Sequence, residues 1–315
     1  MYRKIKTKKK PYWELPRPRP LDQVRHTMKF VTRRIRQEDF HFWNADKYDC
    51  YIVGSDQVWR DWTRKNYNLK YYFLNFVKKT SAKRIAYAAS FGKDTLEGAG
   101  LTGKVDVLKQ FVEKFDAIGV REDSGIRLVK EAWGRETRQV IDPTLLLHAG
   151  DYSRLIDDPV TPLTAVIKPI FYYVLDLDAA KRKVIEQVAC QRKQEYDGIT
   201  TYHIDTLSPV EQWLKGFRDA EFVITDSFHG TIFSIINHTP FITFTNAFRG
   251  ITRITSLLAT LGLTDRIVDE TRLEQFDYEN YGEINWSEVE SKLNALRLES
   301  GEWLLAQLKA DKRAE

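Results

Sequence analysis

From about residue 49 onward the sequence alternates short apolar runs with longer segments of helical periodicity, and this rhythm leaves few folds open. A strand that is apolar along its whole length must be buried on both faces, and two parallel strands need a long crossover, usually a helix. The pattern predicts an α/β protein with parallel sheets covered by helices. In the first half, strands are expected over 49–53, 84–89, 117–120 and 139–141, with helices near 104–115 and 123–133. The second half repeats the rhythm, with strands over 171–175, 201–204, 221–225 and 241–245 and helices over 178–194, 209–219, 231–238 and 251–261. The join falls at 148–164, where Gly150, Asp157, Asp158, Pro159 and Pro162 break the periodicity. Two α/β units are therefore expected, 37–150 and 165–315. A last helix over 286–309, with Val289, Leu293, Leu296, Leu298, Trp303, Leu304 and Leu308 on a broad apolar stripe, closes the second.

Composition sets further limits. With 315 residues, 43% of them hydrophobic and 30% charged, the chain fits a globular protein of about two domains and excludes disorder over its whole length. No stretch approaches the ~20 apolar residues that span a bilayer, and the first residues, Met1-Tyr2-Arg3-Lys4, lack a signal-peptide core, so a cytoplasmic location is expected. Cys50 and Cys190 stand far apart without metal spacing; both are expected as buried thiols, with neither a zinc site nor a disulfide framework.

The net charge of +5 is unevenly distributed. Residues 1–36 hold 13 Lys and Arg against Glu14 and Asp22, a net of +11, and the rest of the chain is at −6. Pro11, Pro16, Pro18 and Pro20 lie among the basic residues of the first twenty, which read as an extended arm followed by a helical segment over 21–38. Such an arm is first a solvated tail. It also suits anionic lipid, at about 1 kcal/mol per basic residue near a membrane surface, which keeps a peripheral position at the inner membrane face open. No aromatic-basic platform accompanies the charge, so nucleic acid is not an expected partner.

Polar residues gather directly after the proposed strands, where open α/β sheets bind ligands. They include Gly54-Ser55-Asp56-Gln57, Ser90-Phe91-Gly92, Arg121-Glu122-Asp123, Asp142-Pro143 and Asp226-Ser227-Phe228-His229-Gly230-Thr231. In the last of these an apolar strand passes through a polar turn into a helix. Free amides near Gly230 and Thr231 would face an anion there, and His229, at the positive helix end, would be a neutral, proton-exchanging ring. The structural alternative makes Asp226 or Ser227 an N-cap and His229 a hydrogen-bonding core residue. Asp56 either caps a helix or meets a hydroxyl. Arg121, Arg249 and Arg253 either form ion pairs or clamp an anion. Asp142 reads foremost as a turn residue. The other histidines form no metal-spaced cluster, and neither a Walker loop nor a dinucleotide fingerprint is present, so no metal or nucleotide cofactor is expected.

Five ordered motifs, beginning Tyr51-Ile52-Val53-Gly54-Ser55-Asp56-Gln57-Val58-Trp59 and including Ala86 to Gly92, Val120 to Gly125, Asp142 to Leu147 and Thr225 to Thr231, resemble the polysaccharide pyruvyl transferase family. The resemblance runs from about Tyr51 to Val268. It implies two Rossmann-like domains facing across a cleft, as in GT-B glycosyltransferases, and transfer of the pyruvyl group of phosphoenolpyruvate onto two sugar hydroxyls as a ketal, with release of phosphate. The acceptor would be a saccharide of a cell-surface polysaccharide or its lipid-linked precursor. His229 and Asp56 would be catalytic, and Arg121, Ser227, Gly230, Thr231, Arg249 and Arg253 would bind the donor. Two departures stand out: Ser227 occupies a place where members often carry arginine, and the basic arm replaces the usual N-terminal strand and Gly/Asn-rich loop. Two alternatives stay open beside this reading, a nucleotide-sugar glycosyltransferase of the same architecture and a catalytically impaired saccharide-binding remnant.

Overall fold

The computed structural model describes residues 48–61, 69–79, 81–157, 163, 166–200 and 210–311. The arm, the helix over 21–38 and the strand over 201–204 lie outside the described residues, as does much of the join. What is described is an α/β fold with two parallel sheets and eight α-helices.

The first sheet runs β1 (Cys50–Val53), β2 (Lys83–Ala89), β3 (Ala117–Val120) and β4 (Arg138–Gln139), in spatial order 1-2-3-4. Helix α1 (Val105–Val112) connects β2 to β3, and α2 (Asp123–Trp133) connects β3 to β4. Every residue of β3 is buried, as a two-faced parallel strand requires. The turn after β1 is pinned by Trp59, which is fully buried and stacks on Phe73 at 5.1 Å. Phe91, Phe115 and Trp133 meet the same ring edge-on, each such pair contributing about 0.5–1.5 kcal/mol beyond area burial.

Helix α3 (Ala149–Asp157) lies where the sequence reading placed only a join. Ile156 is its one fully buried side chain, with Tyr152 and Leu155 partly buried beside it, and this short stripe was masked by Gly150 and the Asp and Pro residues that follow. The second sheet contains β5 (Ile170–Tyr173), β6 (Tyr196–Ile199), β7 (Phe222–Thr225), β8 (Phe241–Phe244) and β9 (Ile267–Val268), in order 6-5-7-8-9. Its helices are α4 (Ala179–Arg192), α5 (Val210–Asp219), α6 (Phe228–Ile236) and α7 (Thr252–Leu261). The edge strand β6 contains Asp197-Gly198 and lacks an apolar run, and β9 has only two residues, which is why neither was legible.

Helix α8 (Trp286–Lys309) joins the two sheets. Val289 and Leu293 pack in the core of the second. Farther along, Trp303 lies against Tyr87 and Gly119 of the first, and Ser300 Oγ accepts a hydrogen bond from the Ile141 amide. Lys83 donates to the last carbonyls, Gln307 at 3.1 Å and Leu308 at 2.7 Å, the favourable end of the helix for a cation. Leu298 and Leu308, expected on the buried stripe, are exposed; Arg297 and Ser300 take the buried face instead. The cysteine expectation also changes, since Cys50 is half-buried and Cys190 exposed.

Candidate active site

The strand order of the second sheet reverses at β5, with β6 added on one side and β7 on the other. The crevice outside the carboxyl ends of β5 and β7 is where open α/β sheets hold ligands. Asp226, buried at the end of β7, fixes this point: it accepts from the amides of Leu175 at 2.6 Å and Asp176 at 3.1 Å and from Asn246 at 3.1 Å. Lys181, itself buried, lies 3.5 Å from it.

Helix α6 begins at once, at Phe228 rather than Thr231, because Ser227 is its N-cap. The Ser227 hydroxyl accepts from the Gly230 amide at 3.3 Å, and the Ser227 carbonyl accepts from Thr231. Gly230 is required by packing, since a β-carbon there would stand 2.2 Å from Thr225 Oγ1. The amides of Gly230 and Thr231, expected to face an anion, are thus occupied, and Ser227, Gly230 and Thr231 build the helix start. Of the amides that a helix start leaves open, those of Phe228 and His229 remain. Every residue of α6 is buried except His229.

His229 lines a cavity of about 560 Å³ together with Asp56, Gln57, Arg249 and Arg253. Asp56 and Gln57 come from the loop after β1, so both sheets contribute to its walls. The loop that carries Arg249 is clamped to the first sheet: Gln57 Nε2 donates to the Arg249 carbonyl at 2.9 Å, and Arg60 reaches the Phe248 carbonyl at 3.1 Å. Gly250, at φ +97°, approaches so closely that a β-carbon would lie 1.8 Å from the Gly92 carbonyl.

A chain of charges runs from this cavity into the wall behind it. Arg253 NH1 is 3.1 Å from Asp56 Oδ1, and Arg121 NH1 is 3.7 Å from the same oxygen. Arg121 NH2 lies 2.8 Å from Asp142 Oδ2, which is also 3.9 Å from His229 Nε2. The Arg121–Asp142 contact is an ion pair by distance but not aligned for a hydrogen bond. All three guanidinium nitrogens of Arg121, and Asp142 Oδ2, are therefore buried without a hydrogen-bond partner among the described residues. The other Asp142 oxygen accepts from the Thr144 amide and hydroxyl, the turn role read from the sequence. Its position beside Arg121 and His229 was not foreseen, because a strand-end Asp-Pro looks like a turn whatever its second oxygen meets.

The local pKa shifts follow. Burial pushes the His229 imidazole below the ordinary histidine value; Asp142 pulls it back and Arg121 pushes it lower. Burial would raise the Asp56 carboxyl, but Arg253 and Arg121 hold it below the usual carboxylate range. Burial, then the neighbouring Arg121 charge, lowers Arg253 to about 10, which leaves it cationic at neutral pH. Arg249 lines the same cavity, yet its guanidinium is engaged with Asp176 through Nε–Oδ2 at 2.5 Å and NH2–Oδ1 at 2.9 Å. The Phe228 ring carries Arg121 at 4.9 Å and Arg253 at 5.2 Å from its centroid, and orients both cations. Among the described residues no cluster of three His, Cys, Asp or Glu is placed to hold a metal.

The two parallel α/β sheets thus bring buried arginines, carboxylates and a half-buried histidine together at their strand ends. A family model for polysaccharide pyruvyl transferases matches residues 2–247, and the chain belongs to that family. The match takes in the basic arm, whereas the ordered motifs begin only at Tyr51. No curated protein is significantly similar to the chain. Among solved structures, a mutant O-GlcNAc transferase of Thermobaculum terrenum aligns at 12% identity with a TM-score of 0.37, over 92% of this chain and 56% of that one. The chain thus spans little more than half the length of that structure, and so distant a likeness carries no functional weight. No described helix is long and apolar enough to cross a membrane.

Proposed function

We propose that the protein transfers the pyruvyl group of phosphoenolpyruvate onto two hydroxyls of a saccharide, forming a cyclic ketal and releasing phosphate, with the two sheets belonging to Rossmann-like units that face across a GT-B-like cleft. The observation that carries this reading is the placement of Arg121, buried and without a hydrogen-bond acceptor, on the same Asp142 oxygen that His229 approaches. A cationic group in that state is prepared for an incoming anion.

In this mechanism the carboxylate and phosphate of the donor lie against Arg253 and the open first-turn amides of α6, and Arg121, 3.7 Å from Asp56, adds its charge from the wall behind. Arg249 adds positive charge from its pair with Asp176. His229 gives a proton to the methylene carbon, and the electron deficiency that develops at C2 is met by one sugar hydroxyl, whose oxygen bonds to C2. The C2–O bond to phosphate breaks with its electron pair. The second hydroxyl then bonds to C2 and closes the ketal, each hydroxyl losing its proton. Asp56, ionised and with its side chain 69% exposed, receives a hydrogen bond from an acceptor hydroxyl. His229 is neutral in the empty site near pH 7, and the arriving polyanion favours its protonation, so donor binding arms the acid. General acid catalysis of this kind is worth about 10²–10⁴ in rate. The saccharide would belong to a polysaccharide or its lipid-linked precursor, and the basic arm would favour work at the inner membrane face.

The test is phosphate release from phosphoenolpyruvate in the presence of a panel of saccharide acceptors, with product mass to identify the ketal. Wild-type protein should release phosphate only with an acceptor, and His229→Ala should lose at least a hundredfold. Equal rates in the two proteins would remove the assignment. Calorimetry that found nucleotide sugar bound, and phosphoenolpyruvate not, would favour a glycosyltransferase.

A further inference from the structure

The residues named for the site do not all face one cavity. His229 and Asp56 line the larger one only, while Arg121 and Asp142 line a second, of about 270 Å³. Phe228 and Arg253 line both, so the Phe228 ring with the arginine stacked on it forms the partition.

Away from that partition the smaller cavity is walled by Val140, Ile141 and Leu145 at the end of β4, Leu257 of α7 and Leu296 of α8. Its volume is several times the ~30 Å³ share of one water molecule. At the partition it gathers buried polar atoms without hydrogen-bond partners among the described residues: the three guanidinium nitrogens of Arg121, Nε of Arg253 and Oδ2 of Asp142. Arg121 is 5% exposed and Arg253 8%. Asp142 Oδ2, the one acceptor among these atoms, offsets the Arg121 charge at 2.8 Å, but the guanidinium donors lack an aligned acceptor; leaving such donors unpaired is costly, and an acceptor at that end removes the cost. The rest of the lining is mainly carbon, with Gln139, Thr260 and Ser300 as polar exceptions beside the rim pair Arg138 and Glu299. A bare inorganic anion would satisfy the arginines and leave the apolar walls uncovered; a neutral hydrocarbon would do the reverse.

We propose that this smaller cavity is a second ligand site, which takes a short-chain monocarboxylate, its carboxylate on Arg121 and Arg253 and its carbon chain toward Leu257 and Leu296. Arg138 and Glu299, half-exposed and ion-paired to each other, stand at its rim and mark the entrance. The occupant shares one cation, Arg253, with the larger cavity but not its space. It therefore weakens anion binding on the His229 side, and by thermodynamic reciprocity an anion there weakens it equally.

The proposal does not rest on the ketal reading, and its test reads binding rather than turnover. Butyrate, pyruvate and inorganic phosphate are titrated calorimetrically into the full chain as wild type, His229→Ala, Leu257→Trp and Thr260→Trp, with circular dichroism melting to verify each fold. Butyrate should bind one to one, within twofold of wild type in His229→Ala and at least tenfold weaker in Leu257→Trp. Thr260→Trp fills the same cavity from its exposed edge and should also lose tenfold, which covers the case in which Leu257→Trp fails to fold. In His229→Ala, phosphate should bind at least tenfold more weakly than butyrate. Three results would overturn the site: no carboxylate binding at millimolar concentration, binding lost in His229→Ala but kept in both tryptophan variants, or phosphate binding as tightly as butyrate. If the ketal chemistry failed instead, these heats would persist without phosphate release from phosphoenolpyruvate.

Discussion

Each sheet ends its site-forming strand in a buried carboxylate, and the two are held in different ways. Glu122, after β3, accepts from the Ser90 hydroxyl at 2.9 Å and from the amides of Phe91 at 2.8 Å and Gly92 at 3.1 Å. Asp226, after β7, likewise accepts from two amides of a neighbouring strand end, but with buried Lys181 at 3.5 Å. Both acids are scaffolding. Each ties two strand ends together and so presents its neighbour, Arg121 on one side and His229 on the other. The difference is how the charge is met: Asp226 has Lys181 within ion-pair distance, whereas Glu122 accepts hydrogen bonds from neutral groups, feels Arg121 and Arg253 only at longer range, and has a second oxygen without a partner among the described residues.

The largest expected effect therefore belongs to Asp226→Asn, which leaves Lys181 buried beside a neutral amide. Breaking a buried pair of this kind costs about 3–5 kcal/mol, to be read from urea unfolding. The figure would fall if Glu270, 3.6 Å from Lys181, takes over the charge. Gly250→Ala should come next, at about 2–3 kcal/mol, because the residue is at φ +97° and faces the Gly92 carbonyl that the Glu122 turn positions. A variant of wild-type stability would show that the two rims are not seated on each other.

The third expectation is kinetic. The folded protein lowers the His229 pKa below the usual 6.5, so the free site loses its acid as pH rises through that lowered value. Under the proposed mechanism kcat/KM should fall about tenfold per pH unit above it, while kcat, which reports the anion-filled site, should fall only at higher pH. Coincident profiles would detach the donor anion from His229.

Glu122→Gln should give the smallest change, about 1 kcal/mol or less near neutral pH, since a glutamine oxygen still accepts from the two amides. Burial raises the Glu122 pKa above that of the unfolded chain, so the folded state holds the proton more tightly and wild-type stability falls as pH rises from the unfolded pKa to the folded one. The glutamine variant should lack this component. If the two proteins show the same slope in urea midpoints across that range, burial does not outweigh the Arg121 and Arg253 charges at Glu122.

These contrasts also show why some of the molecule was legible in its sequence. Strands β3 and β7 are four residues each, buried throughout, and flanked by helices with strong apolar faces, so periodicity located them almost to the residue. Helix α3 has only a short stripe, masked by the breakers around it, and strand β6 buries too little to leave a pattern. The polar turns after the strands marked the side of the sheets on which the candidate site lies, and His229 at the start of a helix was visible as a motif. Whether Ser227 capped that helix or met a ligand was not, because one hydroxyl serves either purpose and only the 3.3 Å contact to the Gly230 amide separates them.

Local chemistry, written in the order of residues, determined the parallel strands, the rim on which the candidate site lies and the place of His229 and Arg121 at the strand ends. Tertiary packing decided the rest: that Arg249 spends its charge on Asp176, that Asp142 stands between Arg121 and His229, and that Phe228 divides one expected site into two cavities. The physical reason is range. Periodicity and capping act over a few residues, whereas an ion pair is set by the distance between side chains that the fold brings together, from Arg121 and Asp142 to Asp56 and Arg253, and no spacing along the chain encodes it.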